Sequence, residues 1–142
     1  MRLSLDDAVL VLILMGYDTV DSIADALRVD YRVIENVVNK LRVLDLVHFE
    51  EKGFWIFKKK VLRLTKEGFE KAIEIRDKIT SVAEKVRRDI EKGAGLEELA
   101  EIYGYALPLL ALMGFIDFAL ITPLLGLLAF DMGVDGIDTE VM

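Results

Sequence analysis

Apolar positions along the first two thirds of the chain change their period several times, and each change marks a predicted element. Residues 9–15, ValLeuValLeuIleLeuMet, are apolar without a break and end at Gly16. Ser4 stands where its side chain can accept from the amide three residues on. The spacing therefore predicts a helix that is apolar on nearly every side and buried at the centre of the fold. Thr19 is placed to cap a second helix of two turns, in which Val20, Ile23, Ala24 and Leu27 make one stripe. Asp30 caps a third, over residues 31–44. A step of about 100° per residue sets Ile34, Val37, Val38 and Leu41 on one side of it, with Arg32, Asn36, Asn39 and Val43 opposite and Glu35, Lys40 and Arg42 flanking. The outward face of this helix is thus polar and able to hydrogen-bond.

Beyond residue 45 the period shortens. LeuValHisPheGluGlu (46–51), Lys52-Gly53 and PheTrpIlePheLysLysLysValLeuArgLeu (54–64) read as a β-hairpin turning at Lys52-Gly53, where Gly supplies the positive φ. The second strand would overhang the first, and the Tyr17-Asp18 link is the segment available to pair with residues 61–64 as a third small strand. Alternation puts Phe54 and Ile56 on one face of that strand and Trp55 and Phe57 on the other, so a cover is required. Packing against the helices or a partner subunit is expected in preference to contact with nucleic acid. Thr65 then caps a long helix reaching about residue 92. Its Ala72, Ile75, Ile79, Val82 and Val86 repeat at 3,4,3,4 spacing, a coiled-coil-like seam on an otherwise charged helix, and such a seam usually seeks a partner.

Charge divides the chain where that helix ends. All 18 Lys and Arg lie between Arg2 and Lys92, a stretch of net charge +1, whereas residues 93–142 carry −8 and no base, for a total of −7. The acidic balance describes the last third alone, and a boundary at Gly93-Ala94-Gly95 follows. Within the first part, residues 31–66 hold nine bases against Glu35, Asp45, Glu50 and Glu51, one basic segment in a balanced domain. After the boundary LeuGluGluLeuAlaGluIle starts another helix, and from Tyr103 to Phe130 the sole charge is Asp117. The charge-free runs on its two sides, 15 and 13 residues, fall short of the roughly 20 that span a bilayer. Pro108 and Pro123 would start or bend helices there. Two apolar helices packed together and an acidic tail are expected. Asp6 and Asp7 open the N-terminal apolar run and no small-residue cleavage site follows, so no cleavable signal peptide is expected.

Candidate chemistry is sparse. With no Cys, one His (His48) and three Ser (Ser4, Ser22, Ser81), a thiol nucleophile is absent, a multi-histidine metal site has too few parts, and a Ser-His triad is not expected. The carboxylate pairs Asp6-Asp7, Glu50-Glu51 and Glu97-Glu98 sit among charged or helix-starting neighbours, where a solvated face or a cap accounts for them. His48 is expected to be structural, and Asp117 to mark a turn or a helix end. No enzymatic activity, cofactor or metal is expected. The absence of Gln, the two Asn and the abundance of Lys, Arg, Glu and Asp match proteins of hot environments, which points to a thermophilic archaeon or bacterium.

Two helices joined by a turn of about three residues, the second with an outward polar face, are what a helix-turn-helix needs. A Leu-Val strand, a wing and LeuThrLysGluGly follow in order, and the whole resembles the winged helix-turn-helix domain of MarR- and PadR-type transcriptional regulators over about residues 4–92. The likeness is carried by IleAlaAspAlaLeu (23–27), AsnLysLeuArgValLeuAspLeuVal (39–47) and ArgLeuThrLysGluGlyPheGluLys (63–71). The last is similar to the junction where that family leaves the wing and enters its dimerisation helix. Asp45 stands where such proteins often have Gly, and Asp tolerates the left-handed conformation. The resemblance implies a mainly α fold with a small antiparallel β-wing. A winged helix-turn-helix would occupy residues 1–66, a long dimerisation helix 67–92, and an apolar helical region with an acidic tail 93–142.

It further implies a cytoplasmic homodimer that sets two recognition helices into successive major grooves of double-stranded DNA. Carried onto this sequence, Arg32, Asn36 and Asn39 would read base edges, Arg suiting guanine and Asn adenine. Tyr31, Lys40, Arg42, Lys58, Lys59 and Lys60 would contact the DNA backbone. Ala72, Ile75, Ile79, Val82 and Val86 would form the dimer interface. Glu35 either accepts from cytosine N4 or weakens non-specific binding. Three functions fit. The leading one is a dimeric DNA-binding regulator whose C-terminal helices complete the dimer and form a pocket for an apolar effector. The others are a membrane-attached regulator with residues 103–130 in the bilayer, and a winged helix used for protein association.

Overall fold

Four side-chain caps decide where the first four helices start, and all four are those the spacing predicts. In the computed structural model, which describes residues 2–129, Ser4 accepts from the Asp7 amide at 3.2 Å and opens α1, Leu5–Leu14. Thr19 and Ser22 form a reciprocal box on α2, Val20–Leu27, each side chain accepting from the other's amide. The Asp30 carboxylate accepts from the Arg32 amide at 2.8 Å at the head of α3, Tyr31–Val43. Thr65 accepts from the Gly68 amide at 3.0 Å at the head of α4, Lys66–Glu91. Each such cap contributes about 1 kcal/mol. The acidic tail expected beyond residue 130 lies outside the described residues.

Helix α1 is the hub, as its all-round apolarity requires. Its residues Ala8, Val9, Leu10, Val11 and Leu12 are wholly buried, because α2, α3, α4, the strand Lys59–Leu64 and the helix Ala106–Leu112 pack on it. Onto it α2 sets Ile23, Ala24 and Leu27, and α3 sets Val33, Ile34, Val37, Val38 and Leu41. Among the described residues no charged side chain is buried.

Strands β1, Val47–Lys52, and β2, Lys59–Leu64, form a two-stranded antiparallel sheet in which Val47 faces Leu64 and Lys52 faces Lys59. The overhang expected of the second strand is absent, since the two strands match end to end. Residues 53–58 form a loop around a 3₁₀ turn, Trp55–Phe57. Gly53 (φ 117°) and Trp55 (φ 61°) both leave the extended region, and the Phe57 amide donates to the Phe54 carbonyl at 3.1 Å. PheTrpIlePhe is therefore a loop, to which strand alternation does not apply. The expected third strand reduces to one hydrogen bond, from the Leu62 amide to the Asp18 carbonyl at 2.7 Å.

Where the wing meets α4, Asp45 takes the left-handed conformation expected of it (φ 59°). Its carbonyl accepts from the Thr65 hydroxyl at 2.8 Å, while the Leu46 carbonyl accepts from the Thr65 amide at 3.0 Å. The first turn of α4 is pressed so close that a Cβ on Gly68 would run into the Leu46 carbonyl. That approach is the physical reason for Gly in LeuThrLysGluGly.

Along α4, Ala72, Ile75, Ile79 and Val86 are buried, together with Ala83, and Val82 is half-buried. The seam on which the resemblance places a dimer interface faces α1 and α6 of its own chain. A 3,4 repeat records that one face of a helix is covered, and here the cover is intramolecular.

Three short helices complete the fold: α5, Leu96–Tyr103, α6, Ala106–Leu112, and α7, Phe118–Ala129. The last two are the expected apolar pair, packed on each other, and one apolar cluster runs from Leu3 to Leu128 across the Gly93-Ala94-Gly95 boundary. Leu3 ties the N-terminus to this region, its amide donating to the Tyr103 carbonyl and its carbonyl accepting from the Tyr105 amide, both at 3.0 Å. Arg87 of α4 donates to the Phe115 carbonyl at 3.0 Å. Asp117 opens α7 by accepting from the Ala119 amide at 2.9 Å. The two charge-free runs become helices of seven and twelve residues, and among the described residues no helix is long and apolar enough to cross a membrane.

Candidate nucleic-acid interface

Every polar position predicted on the outward side of α3 is exposed: Tyr31, Arg32, Glu35, Asn36, Asn39, Lys40 and Arg42. Their orientation follows from the burial of Val33, Ile34, Val37, Val38 and Leu41, which leaves the helix no freedom to rotate. Lys58, Lys59 and Lys60 are exposed where the chain returns from the wing tip. Helix and wing meet in a depression of about 360 Å³. Tyr31, Glu35 and Asn39 line it from α3, Asp21 from α2, and Phe49, Lys59 and Lys60 from the hairpin. The groove thus brings Tyr31, Asn39, Lys59 and Lys60 together, whereas Arg32, Asn36, Lys40, Arg42 and Lys58 lie outside its lining. Asp21 and Glu35 give its floor a mixed charge.

Several of the cations already have acidic neighbours. Lys40 Nζ lies 2.6 Å from Asp6, Arg32 Nε 3.5 Å from Asp30, and Lys58 Nζ 3.8 Å from Glu51. Because these cations are exposed, each pair is worth at most about 1 kcal/mol, so a phosphate can compete for them. Arg42 and Lys60 are held differently. The Arg42 guanidinium sits 4.9 Å from the centre of the Phe49 ring and the Lys60 ammonium 5.9 Å from the same ring. Phe49 thereby joins the end of α3 to the wing. Sequence reasoning missed this residue, since its role needs the strand register. Phe49 faces Leu62, which makes Lys60 its diagonal neighbour across the hairpin.

His48 is exposed on β1, opposite Arg63, and among the described residues no group of three or more His, Cys, Asp or Glu is placed to hold a metal ion. A second depression, about 460 Å³, lies between α4 and α5 and is rimmed by Lys85, Asp89, Lys92 and Glu98. Its charged rim differs from the apolar pocket expected for an effector. Within it the Tyr103 hydroxyl donates to Asp89 at 2.6 Å. Burial, that hydrogen bond and the Asp89 charge together push the Tyr103 hydroxyl up from 10.0 to about 12.

The helices of the chain do not cover PheTrpIlePhe, although packing against them is one of the two expected covers. Phe54, Trp55, Ile56 and Phe57 all stand in solvent at the wing tip, because the 3₁₀ turn carries them beyond the last strand pair and out of reach of the helices. Compared with protein families, curated proteins and solved structures, the chain matches none.

Proposed function

We propose that this chain is a winged helix-turn-helix transcriptional regulator of the MarR/PadR kind that binds double-stranded DNA in the cytoplasm of a prokaryote. In this reading α3 enters the major groove and the β1–β2 hairpin is the wing. The observation that carries it is the meeting of helix and wing: Tyr31 and Asn39 of α3 share one depression with Lys59 and Lys60 of the hairpin, Arg32, Asn36, Lys40, Arg42 and Lys58 are exposed outside it, and the other side of α3 is buried. A major groove of about 12 Å admits an α-helix. Arg32, Asn36 and Asn39 stand three and four residues apart, so they share the face that would meet base edges. Tyr31, Lys40, Arg42, Lys58, Lys59 and Lys60 border that face and would neutralise phosphates. Since the α4 seam is covered within the chain, two copies on a palindromic site would join through other surfaces.

Selection of duplexes from a random pool by the purified full-length chain tests the proposal. Asn36→Ala is expected to relax base preference at one position with a modest loss of affinity, equivalent to about 1–3 kcal/mol of discrimination. Identical preferences for the wild type and Asn36→Ala would remove the readout role. Failure of the wild type to retain any duplex would remove the DNA reading itself.

A further inference from the structure

The wing ends in an apolar tip that none of the described residues covers. Phe54, Trp55, Ile56 and Phe57 are 75, 73, 86 and 79 % exposed. Four consecutive large apolar side chains in water are far from the scattered single residues of an ordinary surface, and patches of this kind mark protein or membrane contacts. The tip also has a defined shape. Trp55 occupies a left-handed conformation that bulky residues rarely adopt (φ 61°), and Gly53 turns the chain where a Cβ would collide with the Phe57 carbonyl. Directly behind it Lys52, Lys58, Lys59 and Lys60 form an exposed collar. Of the two nearby acids, Glu51 pairs with Lys58 and Glu50 with Arg63.

We propose that this tip inserts into the interfacial layer of a lipid bilayer bearing anionic headgroups. The aromatic and aliphatic side chains enter the acyl boundary, where Trp is at home, and the lysine collar meets the headgroups. The inference stands on the tip's exposure and charge and is independent of the DNA reading. Two other occupants fit less well. A DNA minor groove is about 6 Å wide, whereas side chains around a 3₁₀ turn fan out at roughly a third of a circle per residue, so one slot cannot take all four. A second copy meeting tip to tip would oppose two lysine collars, and the two depressions described above are rimmed by charged residues. Because the collar includes the lysines assigned to phosphate, bilayer and duplex compete for the wing.

Trp55 is the sole tryptophan, so its emission reports from the tip itself. The full-length chain would be titrated with phosphatidylcholine vesicles and with vesicles also containing phosphatidylglycerol. The proposal predicts a blue shift and protection from iodide on the anionic vesicles, with binding about tenfold weaker on the neutral ones. Phe54→Ser with Phe57→Ser keeps the reporter and lowers partition at least about tenfold. Its thermal midpoint stays unchanged, since neither side chain belongs to the core. Any of three results overturns the proposal: no blue shift on the anionic vesicles, vesicles that carry the protein down with Trp55 emission unaltered, or a shift that follows protein concentration without lipid.

Discussion

Replacing Ile79 by Ala asks whether the α4 seam belongs to the interior of one chain. Ile79 is 0 % exposed, on the α4 face that lies against α1 and α6. The substitution removes the equivalent of three methylene groups, about 2.4 kcal/mol at ~0.8 each. The cavity left in a core that relaxes only partly brings the total to about 3–4 kcal/mol. For a domain of this size that corresponds to a fall in thermal midpoint of about 10 °C. Urea unfolding followed by circular dichroism, at two protein concentrations well apart, is the assay. An interior role predicts the same loss at both concentrations, since nothing but the chain itself is involved. A dimer-interface role predicts a loss that grows with concentration, because association stabilises by mass action. A concentration-dependent loss, or one under about 1 kcal/mol, would refute the intramolecular assignment.

Gly68→Ala offers a test of opposite local and tertiary effects. Ala is favoured over Gly inside a helix by about 1 kcal/mol, yet its Cβ would meet the Leu46 carbonyl. A net loss of more than about 2 kcal/mol in urea unfolding is expected, and a gain would contradict the packing at the wing junction. Tyr103 supplies a pH test. Its hydroxyl is raised to about 12 in the folded chain from 10.0, so the folded state holds the proton more tightly. The resulting stability is fully present below pH 10 and is lost as pH rises from 10 towards 12. Tyr103→Phe removes this component, so the stability difference between wild type and variant should shrink across that interval; a constant difference counts against the Asp89 contact.

Much of the fold was legible because its signals are local. Ser4, Thr19, Asp30 and Thr65 cap within three residues, and the α3 faces follow from a period of 3.6 alone. The α4 seam was legible as a covered face but not as to its cover, since periodicity carries no information about which helix arrives. The hairpin was found while its loop was misjudged, because the φ of Trp55 depends on Gly53 and the Phe57 carbonyl together. For PheTrpIlePhe the need for a cover was legible but not its source: packing against the helices or a partner subunit was expected, the helices do not reach it, and in the proposal above the cover is a bilayer. Within the candidate site, the polar face of α3 and the lysines could be read directly. The clamp of Arg42 and Lys60 on Phe49 could not, because it is a diagonal contact that only the strand register brings about.

If α3 and the wing lysines form one DNA-binding surface, duplex binding weakens with salt in proportion to the phosphates that the lysines neutralise. Association constants would be measured between about 50 and 200 mM salt for the wild type and for Lys58→Ala, Lys59→Ala, Lys60→Ala combined. Each phosphate contact contributes about −0.9 to the slope of log K against log salt. A slope shallower by about 2 to 3 is expected in the variant, with equal loss on every duplex sequence. An unchanged slope, or no salt-sensitive binding by the wild type, would contradict it.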